Sequence, residues 1–98
     1  MFPRTVPAAE ALELGLVNQV VSEAELPGVV QELARTLAEG PTLAYGSIRR
    51  SVAYSAGHPL SESLAQEGSQ MALTGASQDH GAAVAAFLAK EKPAFEGC

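Results

Sequence analysis

Apolar residues recur at helical spacing along most of this chain. Between Pro27 and Glu39, Val29, Leu33 and Leu37 stand at i, i+4 and i+8, beside Val30, Ala34 and Ala38, which makes one apolar stripe. Gly40-Pro41 ends that helix and opens the next. Ala44, Ile48 and Val52 share a face of a helix expected over about Thr42–Ala56, with Gly57 as its cap and His58-Pro59 as the break. A further helix is expected from about Leu60 to Leu73, on Leu60, Leu64 and Met71. Ser77 can N-cap a last helix running to about Glu91 and stopped by Pro93, with Val84, Phe87 and Leu88 on its inner face.

The first quarter of the chain is more broken. Pro7 suits the first turn of a short helix, because that position needs no amide donor, and Gly15 suits its end. Leu16-Val17-Asn18-Gln19-Val20-Val21 contains the main β-branched run and reads as a short extended segment. Ser22 and Glu25 have capping-box spacing, although Pro27 allows the main helix to begin there instead. The pattern as a whole predicts an all-α chain of about five helices with one short extended segment, forming a single region over 1–98.

Composition changes this picture in one respect. The hydrophobic fraction is 47%, but 18 of those residues are Ala, against 11 Leu, eight Val and one Ile, and there is no Trp. Alanine buries little area, and a chain of about 100 residues buries only about 60–65% of its unfolded surface. The apolar faces are therefore expected to be completed by more chain or by another subunit. The net charge of −5, with no basic run longer than Arg49-Arg50, lacks the positive footprint that nucleic acid requires. A single cysteine at position 98 gives no internal disulfide, and no apolar stretch is long enough for a membrane span. A soluble, cytoplasmic protein is expected.

Candidate chemistry is sparse. Glu10 and Glu13 fall on the wet side of a short helix. Glu67 occupies the seventh place after Leu60 on an apolar stripe, where an unpaired carboxylate is costly to bury. A structural ion pair with Arg49 is expected, Arg50 or a helix N-terminus being the other available partners and simple surface exposure the alternative. Ser77, Asp79 and His80 include the residue types of a hydrolytic triad, but one helix start cannot hold three neighbours in relay geometry. Ser77 as N-cap and Asp79 in a first turn, where the dipole favours negative charge, account for two of them. No His or Cys pair has metal-ligand spacing, and neither a glycine-rich phosphate loop nor a GxSxG turn occurs. Phe87 and Lys90, three apart near the end of the last helix, combine an aromatic ring with a cation, a pair suited to adenine and phosphate. The same residues also fit a core phenylalanine and a cation at a helix C-terminus.

Two stretches carry a family likeness. Ala8-Ala9-Glu10-Ala11-Leu12-Glu13-Leu14-Gly15-Leu16-Val17-Asn18-Gln19-Val20-Val21 and Ala86-Phe87-Leu88-Ala89-Lys90-Glu91-Lys92-Pro93-Ala94-Phe95-Glu96-Gly97 resemble the C-terminal third of the crotonase superfamily, the enoyl-CoA hydratases and isomerases. Between them, Gly40-Pro41-Thr42-Leu43-Ala44 with Ile48-Arg49, and Leu60-Ser61-Glu62-Ser63-Leu64 with Glu67, are similar to that family in order and spacing. The resemblance implies the helical trimerisation region of the crotonase α/β fold, without the spiral catalytic core that lies upstream in the family. It implies self-association of the trimer type and CoA contacts from Phe87 and Lys90. It implies no catalytic residue here, no metal and no resident cofactor, the CoA thioester being the substrate of the parent enzyme. Ala82-Ala83 stand where the family commonly has Glu-Gly, and Glu91 places an acid beside Lys90.

Two functions follow as expectations. One is the oligomerising and CoA-capping part of an enoyl-CoA hydratase or isomerase in fatty-acid or related acyl-CoA metabolism, not catalytic alone. The other is a free-standing, non-enzymatic helical self-association module derived from that family. A small hydrolase built on Ser77 and His80 is a third and weaker reading.

Overall fold

The computed structural model describes residues 3–98. Its helices are α1 (Ala8–Glu13), α2 (Leu26–Ala38), α3 (Thr42–Ser55), α4 (Leu60–Gly75) and α5 (Gln78–Ala89), and the described residues contain no β-strand. The apolar run Val17–Val21, expected as a short extended segment, lies outside the helices, forms no paired strand and is largely exposed. Among the described residues there is no strand for it to pair with, and strands depend on that pairing.

The chain gathers into two compact units, Met1–Leu33 and Ala34–Cys98. In the first unit, α1 follows Pro7 and ends where Gly15 takes φ +69°, with the Leu16 amide donating to the Ala11 carbonyl. The Arg4 guanidinium forks onto the Glu10 carboxylate, one bond being 2.8 Å long, and this bond holds the carboxyl below its usual range. The capping box forms ahead of α2. The Ser22 amide and hydroxyl both donate to Glu25 Oε2, at 3.2 and 2.6 Å, and these bonds lower the Glu25 pKa. Pro27 sits one residue inside α2, where its missing amide donor costs nothing.

In the second unit, α3 packs against α4 and α4 against α5. The α3–α4 contact carries a polar bridge: Arg50 donates from Nε to Gln70 on α4 and from Nη2 to the Ser47 hydroxyl on its own helix, both at 3.0 Å. Ser47 is buried there. At the α3–α4 turn, His58 stacks on Tyr54 with ring centroids 3.6 Å apart, and its Nδ1 lies 2.6 Å from the Tyr54 carbonyl. Helix α5 starts as expected, with Ser77 Oγ accepting from the His80 amide at 3.1 Å. It ends two residues earlier than the apolar pattern suggested.

Among the described residues no apolar side chain is buried. Leu33 and Leu37 of the α2 stripe, Ile48 and Val52 of α3, and Leu64 and Met71 of α4 are each about half exposed or more. The inner face expected for α5 points outward as well, with Val84, Phe87 and Leu88 all exposed. The helices are therefore held by local caps and a few polar bridges, and their apolar faces are open.

Candidate functional site

The residues of interest cluster at the two ends of α5. At its start, Asp79 is one of two buried polar residues described, at 5% exposure. Its carboxylate accepts the Glu96 amide at 2.7 Å and the Gly97 amide at 3.0 Å, and its own amide donates to the Cys98 carbonyl at 3.0 Å. Gly97 takes φ +81°, and a side chain there would place its Cβ 2.8 Å from Thr42 Oγ1. Phe95, half-buried, closes a cavity of about 210 Å³ with Pro41 and Leu43 of the α3 start, Thr74 of α4 and Ala83 of α5.

This arrangement assigns Ser77, Asp79 and His80 to structure. Ser77 Oγ donates to the Thr74 carbonyl at 2.6 Å and accepts from the His80 amide. Asp79 faces the tail amides, so no carboxylate–imidazole–hydroxyl relay exists. A hydrolase built on Ser77 and His80 has no geometric basis.

The other end of α5 is shaped differently. Lys90 is the C-cap and takes the left-handed conformation, φ 59° and ψ 35°, the one described non-glycine residue with positive φ. The Lys90 amide donates to Phe87 and the Glu91 amide to Ala86, at 3.2 and 2.9 Å. This is the Schellman pattern, in which glycine is usual and a side chain carries a conformational cost. Phe87 is 80% exposed, which excludes it from any core within this chain. The ring and the ammonium are both available to a ligand. They do not share a continuous helical face, because the backbone turns at Lys90.

The expected Glu67–Arg49 ion pair is not formed. The ion pair among the described residues is Arg4–Glu10. Glu67 is exposed, so no burial penalty demands a partner. It lines an open groove of about 380 Å³ between α3 and α4, beside Ile48, Val52 and Met71. The arginine that reaches α4 is Arg50, and its partner is Gln70. Among the described residues no cluster of His, Cys, Asp or Glu could hold a metal ion, and no helix is long and apolar enough to cross a membrane.

Comparison with known proteins identifies the wider group. The family profile for enoyl-CoA hydratase/isomerase matches residues 1–98. The chain belongs to that family. Its fold is correspondingly that of part of the larger enzymes. An enoyl-CoA hydratase/isomerase structure from Mycobacterium abscessus superposes with a TM-score of 0.93 at 42% identity, over 97% of this chain and 36% of that one. An enoyl-CoA hydratase structure from Geobacillus kaustophilus HTA426 gives 0.90 at 35% identity, again over 97% of this chain and 36% of that one. The 1,2-epoxyphenylacetyl-CoA isomerase of Escherichia coli (strain K12) is 38% identical over 92% of this chain and 34% of its own length. The chain thus spans about a third of the relatives it matches. The family likeness read from the motifs around Gly15 and Phe87 is the correct one.

The Asp79 clamp and the turn at Lys90 escaped the sequence reading. The clamp joins residues 17 and 18 positions apart. The one available signal was Gly97, a residue that tolerates a left-handed bend close to the tail.

Proposed function

We propose that this chain is the oligomerising and CoA-capping portion of an enoyl-CoA hydratase/isomerase-family enzyme, acting in the cytoplasm on acyl-CoA and not catalytic by itself. The observation that carries the reading is that none of its apolar side chains is buried. Five ordered helices present leucines, valines and a phenylalanine with none of them buried. Exposed apolar surface on this scale marks a face that associates, and the chain corresponds to about a third of its relatives. The α2 stripe and the α3–α4 groove are the faces we assign to association. Phe87 and Lys90 we assign to the CoA moiety, the ring against the adenine and the ammonium against a phosphate.

Titration of the chain with coenzyme A, together with its sedimentation behaviour, tests this. Self-association and CoA binding that weakens about five- to ten-fold in Lys90→Ala, the scale of about 1 kcal/mol per exposed charge contact, support the proposal. Hydration of crotonyl-CoA by the pure chain contradicts its non-catalytic part. A stable oligomer indifferent to CoA points to the self-association module instead.

A further inference from the structure

The geometry points to Asp79 as the latch of a C-terminal strap, and through that strap as the positioning residue for Lys90. The Schellman turn reverses the backbone at Lys90. The tail then runs back along α5, with Lys92, Pro93 and Ala94 beside Ala82 and Ala86. It is caught at the far end, where the Asp79 carboxylate takes the Glu96 and Gly97 amides and the Asp79 amide takes the Cys98 carbonyl. The small side chains at Ala82 and Ala86 let the backbone lie close to the helix.

Two observations link the latch to Lys90. The apolar pattern carries helix to about Glu91, yet α5 stops at Ala89. Lys90 also adopts a conformation unfavourable for any side chain, and such conformations persist only where surrounding contacts enforce them. The polar contacts that require a reversal here are those at Asp79, with Phe95 seated beside Pro41 and Leu43 as their apolar companion. With the latch open, only the two bonds of the turn itself and the Phe95 contact oppose relaxation of Lys90 to right-handed backbone, and α5 lengthens until Pro93 restricts the residue before it. The Lys90 ammonium then leaves from a different point of the helix surface. Asp79 therefore sets where that charge sits without touching a ligand. The consequence for CoA binding rests on the reading proposed above.

The chain contains two lysines, Lys90 and Lys92, so lysine-selective carbon labelling gives a two-signal spectrum. In the wild type, the Lys90 Cα and carbonyl shifts are expected at left-handed values, with slow hydrogen exchange at the Glu96 and Gly97 amides. Asp79→Ala is expected to move the Lys90 shifts to helical values and to speed exchange at those amides by about ten- to hundred-fold, the scale for bonds to a charged acceptor. Asp79→Asn keeps one carbonyl acceptor and is expected to fall between the two, which covers the case in which the alanine variant does not fold. Lys90→Gly adopts the turn at no cost and is expected to slow strap exchange by up to about ten-fold. Freed Glu96 and Gly97 amides with unchanged Lys90 shifts overturn the link, and strap exchange indifferent to Asp79 overturns the latch. In a coenzyme A titration, Asp79→Ala is expected to weaken binding when Lys90 is present and to change nothing further in a Lys90→Ala background. A chain that binds no coenzyme A contradicts the functional reading alone, since the carbon shifts still decide the latch.

Discussion

The two ends of α5 solve opposite problems. At the start, the capping groups are partnered: Ser77 caps the His80 amide, and Asp79 holds the Glu96 and Gly97 amides in a site 5% exposed. At the finish, Phe87 and Leu88 stand 80% and 76% exposed, and Lys90 holds a costly backbone angle. One end is complete within the chain and the other is presented outward. Order in this chain comes from directional polar clamps, whereas its apolar surface stays open. Stability and function should therefore separate along this helix.

Substitutions at the start of α5 break the comparison most strongly. Asp79→Ala leaves two amides without their charged acceptor and is expected to cost about 3 kcal/mol, read as a lower urea midpoint. Ser77→Ala removes the N-cap and should cost about 1 kcal/mol in the same measurement. At the other end the sign reverses. Lys90→Gly relieves the left-handed strain and should stabilise the chain by up to about 1 kcal/mol, the loss of the ammonium appearing only in coenzyme A affinity. Phe87→Ala sharpens the contrast further. An exposed ring contributes little to the monomer, so stability should change by under about 0.5 kcal/mol while coenzyme A binding or self-association weakens.

The smallest effect lies away from α5, at the capping box. Hydrogen bonds from the Ser22 side chain, and then from its amide, lower the Glu25 pKa. A carboxylate whose folded pKa is depressed contributes stability above its unfolded pKa and loses it as pH falls through the folded value. Acid titration should therefore weaken the start of α2, and Glu25→Gln should remove that dependence. Helicity followed against pH in both proteins checks this.

How much of this was readable in advance divides along similar lines. Local signals translated well: Gly40-Pro41 opened α3 at Thr42, Ser22 and Glu25 made the capping box, and Ser77 capped α5. Each depends on residues within a turn of one another. What was not legible depends on distance or on company. The end of α5 is decided by Asp79 meeting residues 17 and 18 positions away, and a first-turn aspartate otherwise reads as a simple dipole contact. The stripe through Glu67 suggested burial and hence an ion pair with Arg49, but its face is open and the carboxylate needs no partner. Phe87 and Lys90 were singled out by residue type and family likeness. Their spacing implied one helical face, which the turn at Lys90 removes.

The central claim is that the apolar faces of these helices are completed by association. Thermal unfolding of the chain, followed by circular dichroism over about a hundred-fold range of concentration, tests it most directly. Association links stability to concentration, so the unfolding midpoint should rise with concentration, by several degrees across that range. A sharp transition at one temperature throughout, from a chain that sediments as a monomer, would mean that these helices need no cover and would contradict the account.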